Sequence, residues 1–307
     1  MNNPKAIPSD RPTSIPRGFV VATLILAAAF SVPLFRLGRF AAGSELYSHI
    51  LLIPFISAFL VWTHRRHLPP PSAPMRAAAS GMFFLSGTIV LGVWGYFAWS
   101  RPQLALENSL AASTLSFLLF FWGICGRVFA KNTLRALLLP LGFLVFMAPF
   151  PTFVKYVLEA GLQYSSAQAA YAIFKLSGTP VFFRDGLVFQ LPGFNMQVAP
   201  ECSGIHSTLA LFITSVLAGH FFLRTRWKSA VFALAVIPLG ILRNGFRVFV
   251  IGQLCVHIGP HMVDSPIHRR GGPIFFVLSL VPLFLLLYLL VRSDRRRAAS
   301  GPAAAKV

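Results

Sequence analysis

Ala199-Pro200-Glu201-Cys202-Ser203-Gly204-Ile205-His206-Ser207 runs directly into Thr208-Leu209-Ala210-Leu211-Phe212-Ile213-Thr214-Ser215-Val216-Leu217-Ala218-Gly219-His220-Phe221-Phe222. The second half carries no Asp, Glu, Lys or Arg and shows no period-two alternation, so it reads as an apolar helix of membrane-spanning type. The first half is a polar island holding a thiol, a carboxylate, an imidazole and two hydroxyls. Polar side chains at the mouth of a membrane span are costly to keep and tend to be functional.

The same reading extends to the whole chain of 307 residues, which is 56% hydrophobic and only 11% charged, far more apolar than a soluble domain of this length. Its apolar runs are rich in Leu, Ala and Phe and lack the alternation of barrel strands, which leaves helices. The net charge of +19 is spread in short basic clusters between apolar runs rather than on one soluble face, so no nucleic-acid partner is expected. Cys125, Cys202 and Cys255 are too few for a disulfide framework, and no zinc-type Cys-x-x-Cys pair occurs.

Working outward, the fold class is an all-α, polytopic membrane helix bundle of about eight transmembrane helices. Residues 1–17 are a cytoplasmic lead, residues 18–292 a single transmembrane domain with a catalytic core over 150–290, and residues 293–307 a cytoplasmic polar tail. The expected spans are 19–35, 50–62, 81–99, 110–124, 137–150, a sixth from the polar island to 222, 230–251 and 273–291. Before the sixth lies the longest non-spanning segment, 152–200. It divides into an amphipathic surface helix (153–174) and a hairpin in which Val181-Phe182-Phe183 and Leu187-Val188-Phe189 flank Arg184-Asp185-Gly186.

Cytoplasmic loops collect Lys and Arg. The dense clusters are the lead, the loops at Arg65, Arg127 and Arg224, and the tail, and they alternate as an even number of spans requires. Both termini are then cytoplasmic in the cell (inner) membrane. On this ordering Cys202, Arg247, His268 and His49 share one outward-facing depth.

Each candidate has a bland alternative. A membrane-helix Cys is by default an inert small hydrophobe, but Cys202 stands at a helix N-terminus, where the dipole lowers a thiol pKa. Glu201 beside it works the other way. His206, four residues on, is either a base on the same helical face or a polar residue bonded to a neighbouring helix. Arg243 and Arg247 place two guanidinium groups one turn apart inside an apolar span, a costly arrangement that needs anionic partners or a wet cavity, unless one of them snorkels. Asn244 stands three before Arg247, placed to orient its guanidinium. His257, His261, Asp264 and His268 match no recognised metal-ligand spacing, and no metal is expected. A Cys202 to Cys255 disulfide competes with the nucleophile reading.

Cys202-Ser203-Gly204-Ile205 with Ser207, then Asn244-Gly245-Phe246-Arg247, then His268 ahead of Gly271 and Gly272, together resemble the exosortase/archaeosortase family. Tyr47-Ser48-His49 followed by residues 51–62 resembles that family's early span, so the likeness covers roughly residues 47–290. The resemblance implies a membrane-embedded cysteine transpeptidase or protease acting on the C-terminal sorting signals of exported proteins, of Pro-Glu-Pro type with a transmembrane helix and a basic tail, often linked to exopolysaccharide. It implies Cys202 as nucleophile, Arg247 as catalytic arginine with Arg243 the alternate one turn away, and His268 as the third member. Ser203, Ser207, His206, Arg243, Asn244 and His49 are supporting or substrate-binding candidates. No cofactor is called for. The expected partners are the sorting signal, the lipid bilayer and an amine or glycan/lipid acceptor. The reading from another class is a transporter or flippase component for an anionic exported glycan or lipid, gripped by the arginines and histidines.

Overall fold

A computed structural model of the chain describes residues 16–65, 77–100, 105–184, 186–200, 203–265 and 272–299. The molecule divides into two compact units, Met1–Thr152 and Phe153–Val307.

The first unit holds α1 (Arg17–Ala29), α2 (Ser31–Ala42), a 3-10 turn (Ser48–Leu51), α3 (Ile53–His64), α4 (Ala77–Ser100), α5 (Leu106–Val128), α6 (Lys131–Ala136), α7 (Leu138–Phe143) and a second 3-10 turn (Leu144–Met147). The expected first span is broken: α1 and α2 meet at 69°. Pro33 is the reason, because a proline clashes with the carbonyl four residues back, here Ala29, where α1 ends. The expected second span is mostly α3, whose 12 residues cover roughly 18 Å, short of a hydrocarbon core of about 30 Å. Pro54 stands at its first turn, the one place where a helix loses nothing to a missing N–H. α4 and α5 are of full spanning length and pack by reciprocal insertion, with the Phe120 ring over Gly87 and the Phe84 ring over Gly123.

The second unit holds α8 (Thr152–Leu176), strands β1 (Phe182–Arg184), β2 (Val188–Leu191) and β3 (Phe194–Gln197), then α9 (Ile205–Phe222), α10 (Arg226–His257), a 3-10 turn (Pro260–Asp264) and α11 (Gly272–Ala299). The expected hairpin is present, with Phe183 opposite Phe189. A third strand continues it, pairing Phe189 with Met196 around the left-handed Gly193. α8 buries Gln163, Ser166, Ala167, Ala170 and Phe174 and exposes Phe153, Tyr156, Val157 and Leu158, so its small and polar positions face inward.

α10 is the spine of this unit. Its first half packs Phe232 and Val236 with Leu211 of α9 and Leu283 of α11. Its second half packs Val248, Ile251 and Cys255 with Ala167 and Phe174 of α8 and with Phe189, Leu191 and Met196 of the sheet. Stacked rings, Tyr171 on Phe183 at 5.0 Å and Phe183 on Phe189 at 4.9 Å, seal the sheet to α8. At 32 residues α10 is roughly 48 Å long, so about 18 Å of it exceeds a hydrocarbon core.

Among the described residues five helices are long and apolar enough to cross a membrane, or up to seven if each of two bent pairs is one span. Many large apolar side chains point outward, among them Leu85, Ile89, Val93 and Trp99 of α4 and Ile274, Val277, Val281 and Leu285 of α11. Such a surface suits lipid rather than water. The chain is a multi-pass membrane protein.

Candidate active site

The polar island ends at Gly204, which caps α9 in the left-handed conformation (φ 73°, ψ 14°). A side chain is disfavoured there twice. The backbone angle is one that residues with a Cβ rarely adopt, and a Cβ at this point would lie 3.3 Å from Asn244 Cγ and 3.4 Å from Arg243 Nη2. Gly204 therefore lets the chain turn hard into α9 while pressed against α10. The helix begins at Ile205, later than the sequence suggested, because a left-handed residue cannot extend it backwards. Cys202 precedes that turn in the chain and lies outside the described residues, and with it the expected pairing of Cys202 with His206 on one helical face.

The segment before the turn is held in place. Gln163 Nε2 of α8 donates to the Val198 carbonyl at 2.7 Å, and the Ser203 N–H donates to the Pro200 carbonyl at 2.9 Å. Ser203 is itself buried.

Arg243 reaches across from α10. Its Nη2 donates to Ser207 Oγ at 2.5 Å and, more weakly, to Thr208 Oγ1 at 3.4 Å. Ser207 Oγ passes the interaction on, donating to the Gly204 carbonyl at 3.1 Å. Arg243 is only 8% exposed, and its Nη1 is buried without a hydrogen-bond partner among the described residues. Arg243 is thus no snorkelling side chain: it is tied to the first turn of α9. This contact depends on close approach of the two helices, since a Cβ on Gly240 would lie 2.6 Å from Thr208 Oγ1.

The structure brings Ser207 and Arg243 together, with Asn244 beside Gly204. His206, the second residue of α9, is exposed, and Arg247 lies one turn beyond Arg243, partly buried. Thr208 and Gly240 are part of the arrangement and were not singled out from the sequence. The one available signal was position: Thr208 follows Ser207, and Gly240 stands three before Arg243. His49 belongs to the first unit, in the 3-10 turn, with Nδ1 3.0 Å from the Leu46 carbonyl. Glu201, Cys202 and His268 lie outside the described residues, as does the side chain of Asp264. Cys125 and Cys255 are buried free thiols. His257 and His261 are exposed, and no three of His, Cys, Asp or Glu among the described residues gather as metal ligands.

A buried cation with a spare donor, set against a helix N-terminus whose first N–H groups are also positive, is chemistry for holding an anion. A thiolate, an oxyanion or a carboxylate would each be stabilised there.

A family model described as transmembrane exosortase matches residues 39–285, most of the chain. The chain belongs to the transmembrane exosortase family. No curated protein and no solved structure matches it. The exosortase match spans both units and includes the turn at Gly204, both arginines and all three strands. Exosortases are known as a class of membrane cysteine peptidases and transpeptidases.

Proposed function

We infer that this exosortase-family protein is a membrane-embedded cysteine transpeptidase or protease that cleaves the C-terminal sorting signals of exported proteins. The observation that carries the reading is the buried Arg243 bonded to the first turn of α9, which follows Cys202-Ser203-Gly204 in the sequence. A buried charge is expensive to keep, and a cysteine peptidase has a use for one.

In the proposed reaction the Cys202 thiol gives its proton to a histidine, and the thiolate attacks the scissile carbonyl carbon. His268 is the base by the family pattern, with His206 the nearer alternative in sequence. The tetrahedral oxyanion is stabilised by Arg247, the arginine of the Asn-x-x-Arg motif, while Arg243 holds the head of α9. The C–N bond breaks as the histidine returns its proton to the leaving amine, leaving a thioester on Cys202. An external amine or other acceptor then resolves the thioester by transfer, or water does so by hydrolysis. The signal is of Pro-Glu-Pro type with an apolar span and a basic tail, and sorting is tied to exopolysaccharide-associated surface attachment.

The proposed setting is the inner membrane, with both termini cytoplasmic and the site facing outward. Charge supports it. Arg224, Arg226 and Lys228 share one end of the helical bundle with Arg292, Arg295 and Arg296, as the Lys228–Asp294 bridge between these clusters requires. Arg243 lies roughly 26 Å farther along α10 from Arg226, near the opposite edge of a hydrocarbon core.

The test is co-expression with an epitope-tagged protein ending in such a signal. The native chain should shorten it, Cys202→Ala and Arg247→Ala should abolish shortening, and Cys202→Ser should be at best weakly active. Continued shortening by Cys202→Ala would end the nucleophile assignment. Tolerance of Cys202→Ala in export of an anionic glycan or lipid, with loss on Arg247→Ala, would favour the transporter reading instead.

A further inference from the structure

We propose that the basic end of the second unit, opposite the candidate active site, carries a binding site for the head group of an anionic phospholipid. A cavity of about 380 Å³ opens between the end of α9 and the last turns of α11. Its polar wall is made by His220, Arg224, Arg295 and Asp294, and its apolar wall by Phe221, Phe222 and Val291.

The carboxylate in that wall does not oppose an anion, because it is already consumed. Asp294 Oδ1 accepts from Lys228 Nζ at 2.7 Å and from Thr225 Oγ1 at 3.0 Å, and Oδ2 accepts from the Arg224 N–H at 3.1 Å. Lys228 is buried and donates further to Ser293 Oγ at 3.0 Å. The Lys228–Asp294 pair cancels in charge and fixes the geometry of the rim. The exposed guanidinium groups of Arg224 and Arg295 remain as two net positive charges facing the cavity. A phosphodiester fits that arrangement, since arginine forks match phosphate oxygens.

The apolar wall identifies the source of the phosphate. Phe221 and Phe222 are 52% and 61% exposed, and Trp227, at the start of the next helix, is 53% exposed. A tryptophan at the end of a span, here Trp227, marks the depth of lipid head groups, and basic pockets between spans on such a face suit anionic lipid. Acyl chains would run along the exposed faces of the spans while the phosphate sits between the arginines. A soluble phosphate would have no use for the apolar wall. The inference is independent of the proposed peptidase reaction.

The test uses the full-length protein, delipidated in detergent, with thermal unfolding followed during titration. Phosphatidylglycerol should raise the unfolding temperature, while phosphatidylcholine of the same acyl chains and inorganic phosphate should not. Arg224→Gln with Arg295→Gln should weaken the apparent affinity roughly 30-fold, at about fivefold per arginine. The N–H of residue 224 still reaches Asp294 in this variant, because that donor is backbone. Arg39→Gln, a basic position in the first unit, should leave the affinity unchanged. An equal response to phosphatidylcholine would overturn the proposal in favour of unselective lipid contact. An equal response to inorganic phosphate would replace it with a free-anion site. Should the double variant fail to fold, Arg295→Gln alone decides: no loss of affinity refutes the site.

Discussion

Replacing Gly240 by alanine should drive α9 and α10 apart at the level of Arg243. A Cβ at position 240 would lie 2.6 Å from Thr208 Oγ1, 3.1 Å from Cγ2 and 3.4 Å from Cβ. Exchange between the two χ1 rotamers open to a helical threonine offers little relief, since Cγ2 as well as Oγ1 lies against this position. Overpacking of this kind costs about 1–3 kcal/mol, offset by about 1 kcal/mol from the better helix propensity of alanine. Gly161→Ala on α8, where nothing lies within 4 Å, should show the propensity gain alone. The two substitutions should therefore differ by about 1–3 kcal/mol. Thr208→Ala removes Oγ1 and Cγ2 and leaves only the 3.4 Å contact, so the Gly240→Ala/Thr208→Ala pair should recover most of the loss. Ser207 Oγ, the shorter of Arg243's two contacts, is kept in that pair. Thermal unfolding in detergent, read as a double-mutant cycle, gives the coupling directly. If Gly240→Ala is as stable as Gly161→Ala, or if the pair is no better than Gly240→Ala alone, the helix crossing described here is wrong.

Two further outcomes follow from burial and pairing. A membrane-impermeant thiol reagent applied from outside should label the native chain through Cys202 alone, because Cys125 and Cys255 are each 2% exposed; labelling that persists in Cys202→Ser would contradict that accessibility. Lys228→Met should lower the unfolding temperature by leaving the Asp294 carboxylate without its cation, and adding Asp294→Leu should restore much of it, since a buried pair replaced whole costs less than one broken. A double variant no more stable than Lys228→Met would show that the bridge does not tie α10 to α11 in this way.

Much of the second unit was legible along the chain. The apolar run 208–222 became most of α9, and the hairpin around Arg184 and Gly186 was visible in its flanking aromatic residues, though its register came only from the structure. The third strand escaped because Phe194-Asn195-Met196-Gln197 is too short for its alternation to stand out beyond Pro192-Gly193. The broken first span escaped because hydropathy is continuous through residues 19–35, while the break at Phe30 is a steric act of Pro33 on Ala29.

By itself the sequence determined that this is a helical membrane protein with a polar, cysteine-bearing mouth on one span and two arginines in the next. Hydropathy, charge and proline placement are properties of the local chain, so they survive without a third dimension. That Arg243 meets the head of α9 was decided only by tertiary structure. Ser207 lies 36 residues from Arg243, and their meeting depends on where two helices cross. That crossing is placed by Gly240 under Thr208 and by the left-handed Gly204 against Asn244. It leaves Arg243 bonded to the first turn of α9.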